Sequence, residues 1–261
     1  MTADSNATAN SQPEISFIMP CYNEEQVITY TIPRIVRAFA DAGHRFELVA
    51  CDNGSSDRTG EIIQRFIDEG LPIRPHRVEV NCGYGNGILE SVPLARAPWI
   101  GVIPADGQVD AEDAVRLFES VRESGGAVLG KVHRRFRLDG PIRAIVSFLY
   151  NSFLMLLWPG VSTFDVNGSP KILDAGTLRR MSLTSKDWLL DPEMVIKAHL
   201  LGIPILEMNV FSRMREHGTS NVQAETAWEF FRRLLAFRFG PELKRWQAEA
   251  ERDQRSPLAQ D

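Results

Sequence analysis

The sequence predicts a single α/β domain with a mostly parallel central sheet flanked by helices. Short apolar runs that are typical of buried strands alternate along the chain with helical patterns, which is the order of parallel β-α-β units. A chain of 261 residues, of which 44% are hydrophobic and 24% charged, has an ordinary globular composition and enough length for one large domain. Each strand of the first half ends in a polar or glycine-rich loop. Such loops share the edge of a parallel sheet where ligands bind.

Four strands and the helices after them are predicted in the first half. Apolar runs place the strands at Ile15–Met19, Phe46–Ala50, Arg77–Val80 and Trp99–Ile103. Helical patterns follow the first three strands and extend to about Asp41, Glu69 and Ala95, and a fourth helix begins after Asp110, which can cap it. Every one of these strands therefore delivers a loop to the same edge of the sheet.

The loop after the fourth strand carries the main candidate for a metal site. Asp106 and Gln108 offer a carboxylate and an amide oxygen one residue apart, and such oxygens are the ligands of a hard cation such as Mg²⁺ or Mn²⁺. An ordinary polar turn between a strand and a helix is the alternative, because short motifs often arise by chance. The other loops decide between these interpretations.

Those other loops offer groups suited to a nucleotide. The carboxylates of Asp52 and Asp57 can accept hydrogen bonds from a base or a ribose, and Tyr22 offers a flat surface for a base. Glycines at positions 83, 85 and 87 allow the backbone to approach a ligand closely. A plain turn explains a single glycine cluster equally well, so this loop alone decides nothing.

Taken together, the ordered motifs resemble the family 2 glycosyltransferases of GT-A fold. The motifs are Pro20-x-Tyr22-Asn23-Glu24, Asp52-Asn53-Gly54-Ser55-x-Asp57, the Gly83 loop and Ala105-Asp106-Gly107-Gln108. The chain most resembles the branch of dolichol-phosphate mannosyltransferase-like and bacterial polyprenyl-phosphate sugar transferases, from about Ile15 to Ser220. Many of these relatives carry Asp where this chain has Asn53 and Pro104, so two carboxylates are missing here.

The resemblance assigns roles to residues of the first half. It implies that a nucleoside-diphosphate-sugar donor contacts Pro20, Tyr22, Glu24, Asp52, Asp57, Gly85 and Asp106. It also implies that Asp106 and Gln108 are ligands of the Mg²⁺ or Mn²⁺ cofactor that bridges the diphosphate. Residues 15–125 would then form the nucleotide-sugar half of the domain, and residues 126–240 the acceptor half.

The acceptor half begins with a strand at Ala127–Gly130 and a run of cations. This basic run suits a phosphate, with a solvated basic turn as the alternative. The helix that follows, Pro141–Trp158, is apolar except for polar residues spaced four apart, which share one face. The resemblance implies that the acceptor phosphate contacts Lys131, Arg137, Arg143, Ser147 and Asn151. A core helix with a satisfied polar stripe remains the alternative.

Three residues are candidates for the chemical step: Asp191, Arg215 and Arg143. Asp191 lies where a helix to about Leu201 begins. It either caps that helix or, for a hydroxyl acceptor, acts as general base; a phosphate acceptor needs no base. Arg215 follows a late strand at Ile203–Val210 and can neutralise the departing diphosphate.

The last predicted element is a basic amphipathic helix over Ala224–Trp246. It packs on the domain, on a second subunit or on a membrane surface, so homo-oligomerisation stays open. We expect residues 1–14 to be a disordered leader and residues 241–261 to be the end of the last helix and a charged tail.

Composition limits the partners and the compartment. A net charge of −5 argues against a nucleic-acid partner. Three cysteines without metal-ligand spacing, and no basic-then-apolar leader, suggest a cytoplasmic protein, with peripheral attachment to the inner face of the membrane as an open case.

The sequence therefore predicts an inverting, metal-dependent glycosyltransferase whose acceptor is a polyprenyl phosphate. A soluble glycosyltransferase that acts on a small-molecule or glycan hydroxyl is one alternative. A nucleotidyltransferase or a nucleotide-sugar binding protein is another.

Overall fold

A seven-stranded sheet in the order β3-β2-β1-β4-β6-β5-β7 forms the centre of the protein. The structure is a computed structural model that describes residues 12–137, 141–213 and 224–255. The strands are β1 Ile15–Cys21, β2 Phe46–Asn53, β3 Ile73–Val78, β4 Trp99–Val102, β5 Leu129–Arg137, β6 Lys171–Asp174 and β7 Ile205–Ser212. The helices are α1 Ile28–Asp41, α2 Thr59–Asp68, α3 Tyr84–Ser91, α4 Ala111–Glu123, α5 Pro141–Leu157, α6 Ala175–Met181, α7 Leu190–Leu200, α8 Ala224–Phe239 and α9 Pro241–Arg255.

Most neighbouring strands of this sheet are parallel. β1 runs parallel to β2 and to β4, β2 to β3, and β5 to β7, whereas β6 is antiparallel to both of its neighbours. The predicted α/β fold with a mostly parallel sheet is therefore confirmed. Because β1, β2 and β4 point the same way, the loops that follow them meet at one edge.

Helices cover both faces of the sheet because alternate residues of a buried strand point to opposite sides. On one face, Phe17 of β1 contacts Phe39 of α1 with ring centroids 5.5 Å apart. On the other, the adjacent Ile18 belongs to a second core with Leu154 of α5 and Val195 of α7. The edge where these loops meet thus rests on two packed layers.

Strand β6 was not predicted, and it places an antiparallel strand near the centre of the sheet. It has four residues and lies between β4 and β5, where Ile172 pairs with Gly101 and with Gly130. Its polar first residue, Lys171, and the preceding polar turn hid it from an analysis of apolar runs. The third strand also differs from the prediction: β3 ends at Val78, and Val80 is exposed.

The C-terminal helix was predicted as one segment over Ala224–Trp246, and this was wrong. The helical conformation is interrupted at Gly240: α8 ends at Phe239, and α9 starts at Pro241 and continues to Arg255. Proline has no backbone N–H and its ring clashes with a preceding helical turn, so it favours the start of a helix and opposes its interior. In the described ranges no helix combines the length and the apolar character needed to span a bilayer.

Residues 1–11 of the predicted leader lie outside the described part, but its last residues belong to the domain. The backbone N–H of Glu14 donates to the carbonyl oxygen of Arg45 at 2.7 Å. The Glu14 carboxylate in turn accepts a hydrogen bond from the Arg45 N–H at 3.0 Å.

Candidate functional site

The loops after β1 and β2 are joined by side-chain hydrogen bonds to backbone groups. Asn23 Oδ1 accepts from the Ser56 N–H at 2.9 Å, and the Glu24 N–H donates to Thr59 Oγ1 at 2.9 Å. Asp57 Oδ2 accepts from the Glu25 N–H at 3.1 Å. The first two sequence motifs therefore form one connected surface, with Tyr22 half exposed on it.

The predicted donor-binding carboxylates in these loops also have structural partners. Asp52 is buried; its Oδ1 accepts from the Ser55 N–H at 2.9 Å, and its Oδ2 lies 3.4 Å from Nη1 of Arg77. Burial acts to raise the pKa of Asp57, but hydrogen bonds from Thr59 and from the Glu25 backbone lower it below its ordinary value. Asp57 is consequently an ionised acceptor whose main contacts hold the loops in place.

The predicted metal ligands lie in the loop after β4, which is attached to the end of β7. Asp106 Oδ1 accepts from the Gln108 N–H at 3.1 Å. The buried Gln108 side chain donates through Nε2 to the carbonyl oxygen of Arg213 at 3.2 Å, and the Arg213 N–H donates to the Gln108 carbonyl oxygen at 2.9 Å. Arg213 also pairs with Asp110 at 2.9 Å. This arrangement fixes the orientation of the Gln108 amide beside Asp106.

Two glycines of the predicted glycine loop pack closely against the backbone of a later segment of the chain. A Cβ atom on Gly85 would lie 2.3 Å from the carbonyl oxygen of Ser185, and one on Gly83 would lie 2.4 Å from that of Lys186. The missing side chain of Gly85 therefore admits the backbone of residues 185–187, and a contact between Gly85 and the donor stays a prediction. That packing brings the segment before α7 against α3.

Between these glycines, Tyr84 is a site residue that the sequence analysis missed. Its ring stacks on the ring of Trp188, with centroids 4.6 Å apart and an angle of 10° between the planes. Burial raises the pKa of the Tyr84 phenol, and the negative charges of Asp191 and Asp106 raise it further. The phenol thus keeps its proton and stays a hydrogen-bond donor.

Asp191 belongs to a buried ion pair rather than to a helix cap. Lys171 Nζ lies 2.6 Å from Asp191 Oδ1, and the two side chains are 1% and 7% exposed. Leu189 occupies the cap position of α7, so the capping alternative is wrong. The pair connects β6 to α7 and holds the Asp191 carboxylate in one place.

A second buried ion pair, Arg134 with Asp165, was also missed. Nε and Nη2 of Arg134 lie 2.8 and 2.9 Å from the two carboxylate oxygens of Asp165. Burial acts to raise the pKa of Asp165, but the guanidinium outweighs it and holds that pKa well below its usual range. Burial acts to lower the pKa of Arg134, but the charge of Asp165 raises it, and the charges of Asp106 and Asp191 raise it further. The basic run at the end of β5 was the only sequence signal for it.

Lys131, predicted to bind the acceptor phosphate, is instead fully buried. Its ammonium donates to the carbonyl oxygens of Val132 and Asp165 and to Glu207 Oε1, the last at 2.6 Å. An ammonium has three N–H donors, and all three are used. Burial and the charge of Lys171 lower the pKa of Lys131 to about 8. The structure therefore contradicts a phosphate-binding role for Lys131.

The remaining acceptor candidates have different outcomes. Asn151 bonds through Nδ2 to the carbonyl oxygen of Phe164 at 2.9 Å and through Oδ1 to the Val166 N–H at 3.2 Å. Its amide therefore fixes a loop to α5, the satisfied polar group that was the alternative for this helix. Ser147 lies on the same helix, half-buried. The side chains of Arg137 and Arg143, and all of Arg215, lie outside the described part of the chain.

Comparisons with known proteins agree with this geometry. Residues 16–176 match the sequence model of Glycosyl transferase family 2. The chain is 28% identical over 233 residues to dodecaprenyl-phosphate galacturonate synthase of Rhizobium johnstonii, covering 87% of this chain and 67% of that protein. It is 25% identical over 213 residues to dolichyl-phosphate β-glucosyltransferase of Dictyostelium discoideum, covering 75% and 65%. The match thus spans about two thirds of these relatives' lengths.

A solved structure supports the fold. Glucosyl-3-phosphoglycerate synthase of Mycobacterium tuberculosis, in complex with Mg²⁺ and UDP, superimposes with a TM-score of 0.69 at 20% identity, over 87% of this chain and 80% of that one. The fold is that of the GT-A glycosyltransferases, as predicted. Because the family match covers more than half of the chain and includes every motif from β1 to β6, this protein is a member of Glycosyl transferase family 2.

Proposed function

We propose that this protein transfers a sugar from a nucleoside-diphosphate-sugar to a polyprenyl phosphate, with inversion at the anomeric carbon. Family membership supports sugar transfer as the reaction. The names of the two relatives described above each contain a lipid phosphate, dodecaprenyl phosphate in one and dolichyl phosphate in the other. These names support a lipid phosphate as the acceptor.

The observation that carries the proposal is the meeting of separate loops at one sheet edge. The loops after β1 and β2 are joined to each other, and Asp110, at the end of the loop after β4, lies 3.4 Å from Arg34 of α1, the helix that follows β1. We call the region that these loops border the cleft; it offers hydrogen-bond acceptors for a base and ribose at one end and charged groups for a diphosphate and sugar at the other. Open α/β sheets bind nucleotides in this way.

The residues present fit a divalent cation that is shared with the donor. In the described ranges no group of three or more His, Cys, Asp or Glu side chains forms a metal site by itself. Mg²⁺, however, is commonly held by one or two carboxylates together with substrate phosphates. Asp106 and the fixed amide of Gln108 would hold it here, and the bound ion would neutralise charge on the departing diphosphate.

The protein's own groups position the reactants. An oxygen of the acceptor phosphate, already ionised at neutral pH, attacks the anomeric carbon while the bond to the diphosphate breaks, and the nucleoside diphosphate leaves with the bonding electrons. No general base is required, so the Asp191 carboxylate held by Lys171 serves as a hydrogen-bond acceptor for the sugar. Tyr84 donates a hydrogen bond in the same cleft, and Arg143 and Arg215 add positive charge.

The experiment is to measure nucleoside diphosphate release from a panel of nucleotide-sugars. We expect release only when a polyprenyl phosphate is also present, together with a new sugar-lipid phosphate. Release of pyrophosphate would indicate nucleotidyl transfer and would overturn the proposal. Release of nucleoside diphosphate with a soluble hydroxyl acceptor, but not with the lipid phosphate, would overturn the proposal that the acceptor is a polyprenyl phosphate.

A thermal-shift series tests the metal ligand separately from turnover. A ligand at about 100 times its Kd stabilises the folded state by about 2.7 kcal/mol, which for a chain of this size raises Tm by about 5–10 °C. Asp106→Ala should remove the part of that shift that needs Mn²⁺. Asp41→Ala, which removes an exposed carboxylate from α1, is the control and should keep it. An unchanged Mn²⁺ response in Asp106→Ala would exclude Asp106 as a ligand.

A further inference from the structure

We infer that the indole ring of Trp188 is the surface on which the sugar of the donor stacks. This inference rests on the proposed function, since it concerns the sugar of the nucleoside-diphosphate-sugar. The aromatic platform consists of the rings of Trp188 and Tyr84, which stack with their centroids 4.6 Å apart and an angle of 10° between the planes. Trp188 is then a residue that helps to determine which sugars the protein accepts.

Trp188 combines an exposed surface with a fixed ring. The residue is 55% exposed, which by itself is ordinary for a single apolar side chain at a protein surface. Tyr84 stacks on one face of the indole, so the exposed area belongs to the other face and to the ring edges. A flat aromatic face of this kind is available to the apolar side of a second ring.

Hydrogen bonds hold the backbone on both sides of Trp188. The Asn86 N–H donates to the carbonyl oxygen of Lys186 at 2.8 Å, and the Leu189 N–H donates to Asp187 Oδ1 at 2.8 Å. A side chain that is held in place before the ligand arrives loses little conformational entropy on binding. The aromatic platform is therefore preorganised for a ligand.

The aromatic platform is attached to the edge of the sheet where the donor loops meet. Asn53, the last residue of β2, donates through Nδ2 to the carbonyl oxygen of Gly83 at 3.1 Å, and Tyr84 is the next residue in the chain. Trp188 precedes Asp191 by three residues and lies just before α7. The platform is thus connected to the end of β2 through Tyr84 and to the proposed sugar-binding carboxylate through Trp188.

The polar groups of this region favour a sugar over a nucleobase as the stacked ring. A pyranose has an apolar face of C–H bonds and a rim of hydroxyl groups that both donate and accept hydrogen bonds. Lys171 holds the Asp191 carboxylate, an acceptor, at 2.6 Å, and burial raises the pKa of the Tyr84 phenol, which remains a donor. Ligand sites commonly combine an aromatic surface with a few placed polar groups. The base has its own predicted surface at Tyr22.

The test compares nucleoside diphosphates with their sugar conjugates. Isothermal titration in the presence of Mg²⁺ gives the Kd of UDP, GDP, UDP-glucose, UDP-galactose and GDP-mannose. The ratio of the nucleoside diphosphate Kd to the nucleotide-sugar Kd measures the contribution of the sugar. For the sugar that the parent protein binds best, Trp188→Ala should lower this ratio by about fivefold to tenfold, the value of a lost aromatic contact. The affinity for the nucleoside diphosphate alone should stay the same.

Two further variants separate stacking from a general loss of structure. Trp188→Phe keeps an aromatic ring and should retain most of the ratio. Phe239→Ala removes an aromatic side chain that is 66% exposed at the end of α8 and should change neither affinity. A ratio in Trp188→Ala equal to that of the parent would overturn the inference. An equal loss of affinity for the nucleoside diphosphate and the nucleotide-sugar would overturn it too, because Trp188 would then stack on the base.

Steady-state kinetics distinguishes the sugar from the hydrocarbon chain of the acceptor. Trp188→Ala should raise the KM for the nucleotide-sugar and leave the KM for the polyprenyl phosphate unchanged. A raised KM for the acceptor alone would overturn the inference, because it would assign Trp188 to the lipid chain. If the parent protein binds none of the nucleotides, the proposed function fails and this inference fails with it. Nucleotide-sugar binding that does not respond to Trp188→Ala overturns the inference alone.

Discussion

Replacing Asp191 by Asn should destabilise the protein strongly, because it leaves the Lys171 ammonium buried without its counter-charge. The two charged atoms are 2.6 Å apart, and Lys171 is 1% exposed. At an effective dielectric constant of about 20 their attraction amounts to about 6 kcal/mol, and breaking such a buried pair typically costs about 3–5 kcal/mol. For a chain of this size, the loss corresponds to a fall in Tm of about 6–20 °C.

Urea unfolding followed by tryptophan fluorescence and circular dichroism measures this loss. The matched control is Asp41→Asn in the exposed pair Arg37–Asp41, where the side chains are 83% and 71% exposed and the atoms 3.4 Å apart. An exposed pair of this kind contributes about 0.3–0.5 kcal/mol. The two substitutions make the same chemical change, so the difference between their losses of unfolding free energy reports the effect of burying the ion pair.

The double variant Lys171→Met with Asp191→Leu removes both charges of the buried pair. Removing both charges should recover most of the stability that Asp191→Asn loses, and donor turnover measured on this refolded variant then reports the role of Asp191 in the cleft. An Asp191→Asn variant as stable as Asp41→Asn would refute the reasoning, because it would mean that Lys171 loses its charge or reaches water without cost.

Two further substitutions test other contacts. The folded-state pKa of Asp165 lies below its unfolded value. The stability that Asp165 contributes is therefore present above about pH 4 and is lost as the pH falls towards the folded pKa. Asp165→Asn should reduce the fall in unfolding free energy below about pH 4, and an unchanged dependence of that free energy on pH would exclude Asp165 as its cause. Gly85→Ala places a Cβ atom 2.3 Å from the Ser185 carbonyl oxygen and should cost about 3 kcal/mol in urea unfolding. Gly126→Ala, whose Cβ would lie 3.9 Å from the Ser124 carbonyl oxygen, should cost less than about 1 kcal/mol; equal losses would contradict the close packing at Gly85.

The features that the sequence predicted correctly depend on local order. The strand, loop and helix pattern around Ile15, Phe46 and Trp99 was readable because each element is adjacent in sequence to the next. Parallel pairing then places the loop ends together without any further information. Asp106 could be chosen as a candidate from its position in the loop after β4, and its role as a metal ligand stays a prediction.

The features that were missed depend on partners far away in sequence. Gly85 contacts Ser185, about a hundred residues later in the chain, and nothing near Gly85 distinguishes a packing contact from a ligand contact. Lys131 resembles a phosphate-binding residue until Glu207 is brought beside it by the parallel pairing of β5 and β7. The start of α9 has a local cause, because Pro241 favours the first turn of a helix. The sequence analysis gave more weight to the continuous amphipathic pattern and predicted one helix.

The charges at the cleft explain why a cation should accompany the donor. Among the described residues, the ion pairs here contain the cations Lys131, Arg134 and Lys171 and the carboxylates Asp165, Asp191 and Glu207, and the charge of Asp106 also acts on Arg134. These three described cations against four described carboxylates give this group a net negative charge, and the ion pairs already use the cations for internal contacts.

A diphosphate that approaches this cluster is repelled unless positive charge arrives with it. Asp106 is the carboxylate whose position after β4 suits a shared divalent ion, and the proposed function assigns further positive charge to Arg143 and Arg215. If the ion supplies most of that charge, nucleoside diphosphate affinity should fall steeply when it is withheld, and the fall should be smaller in Asp106→Ala, because that variant has lost both the ligand and one of the repelling charges.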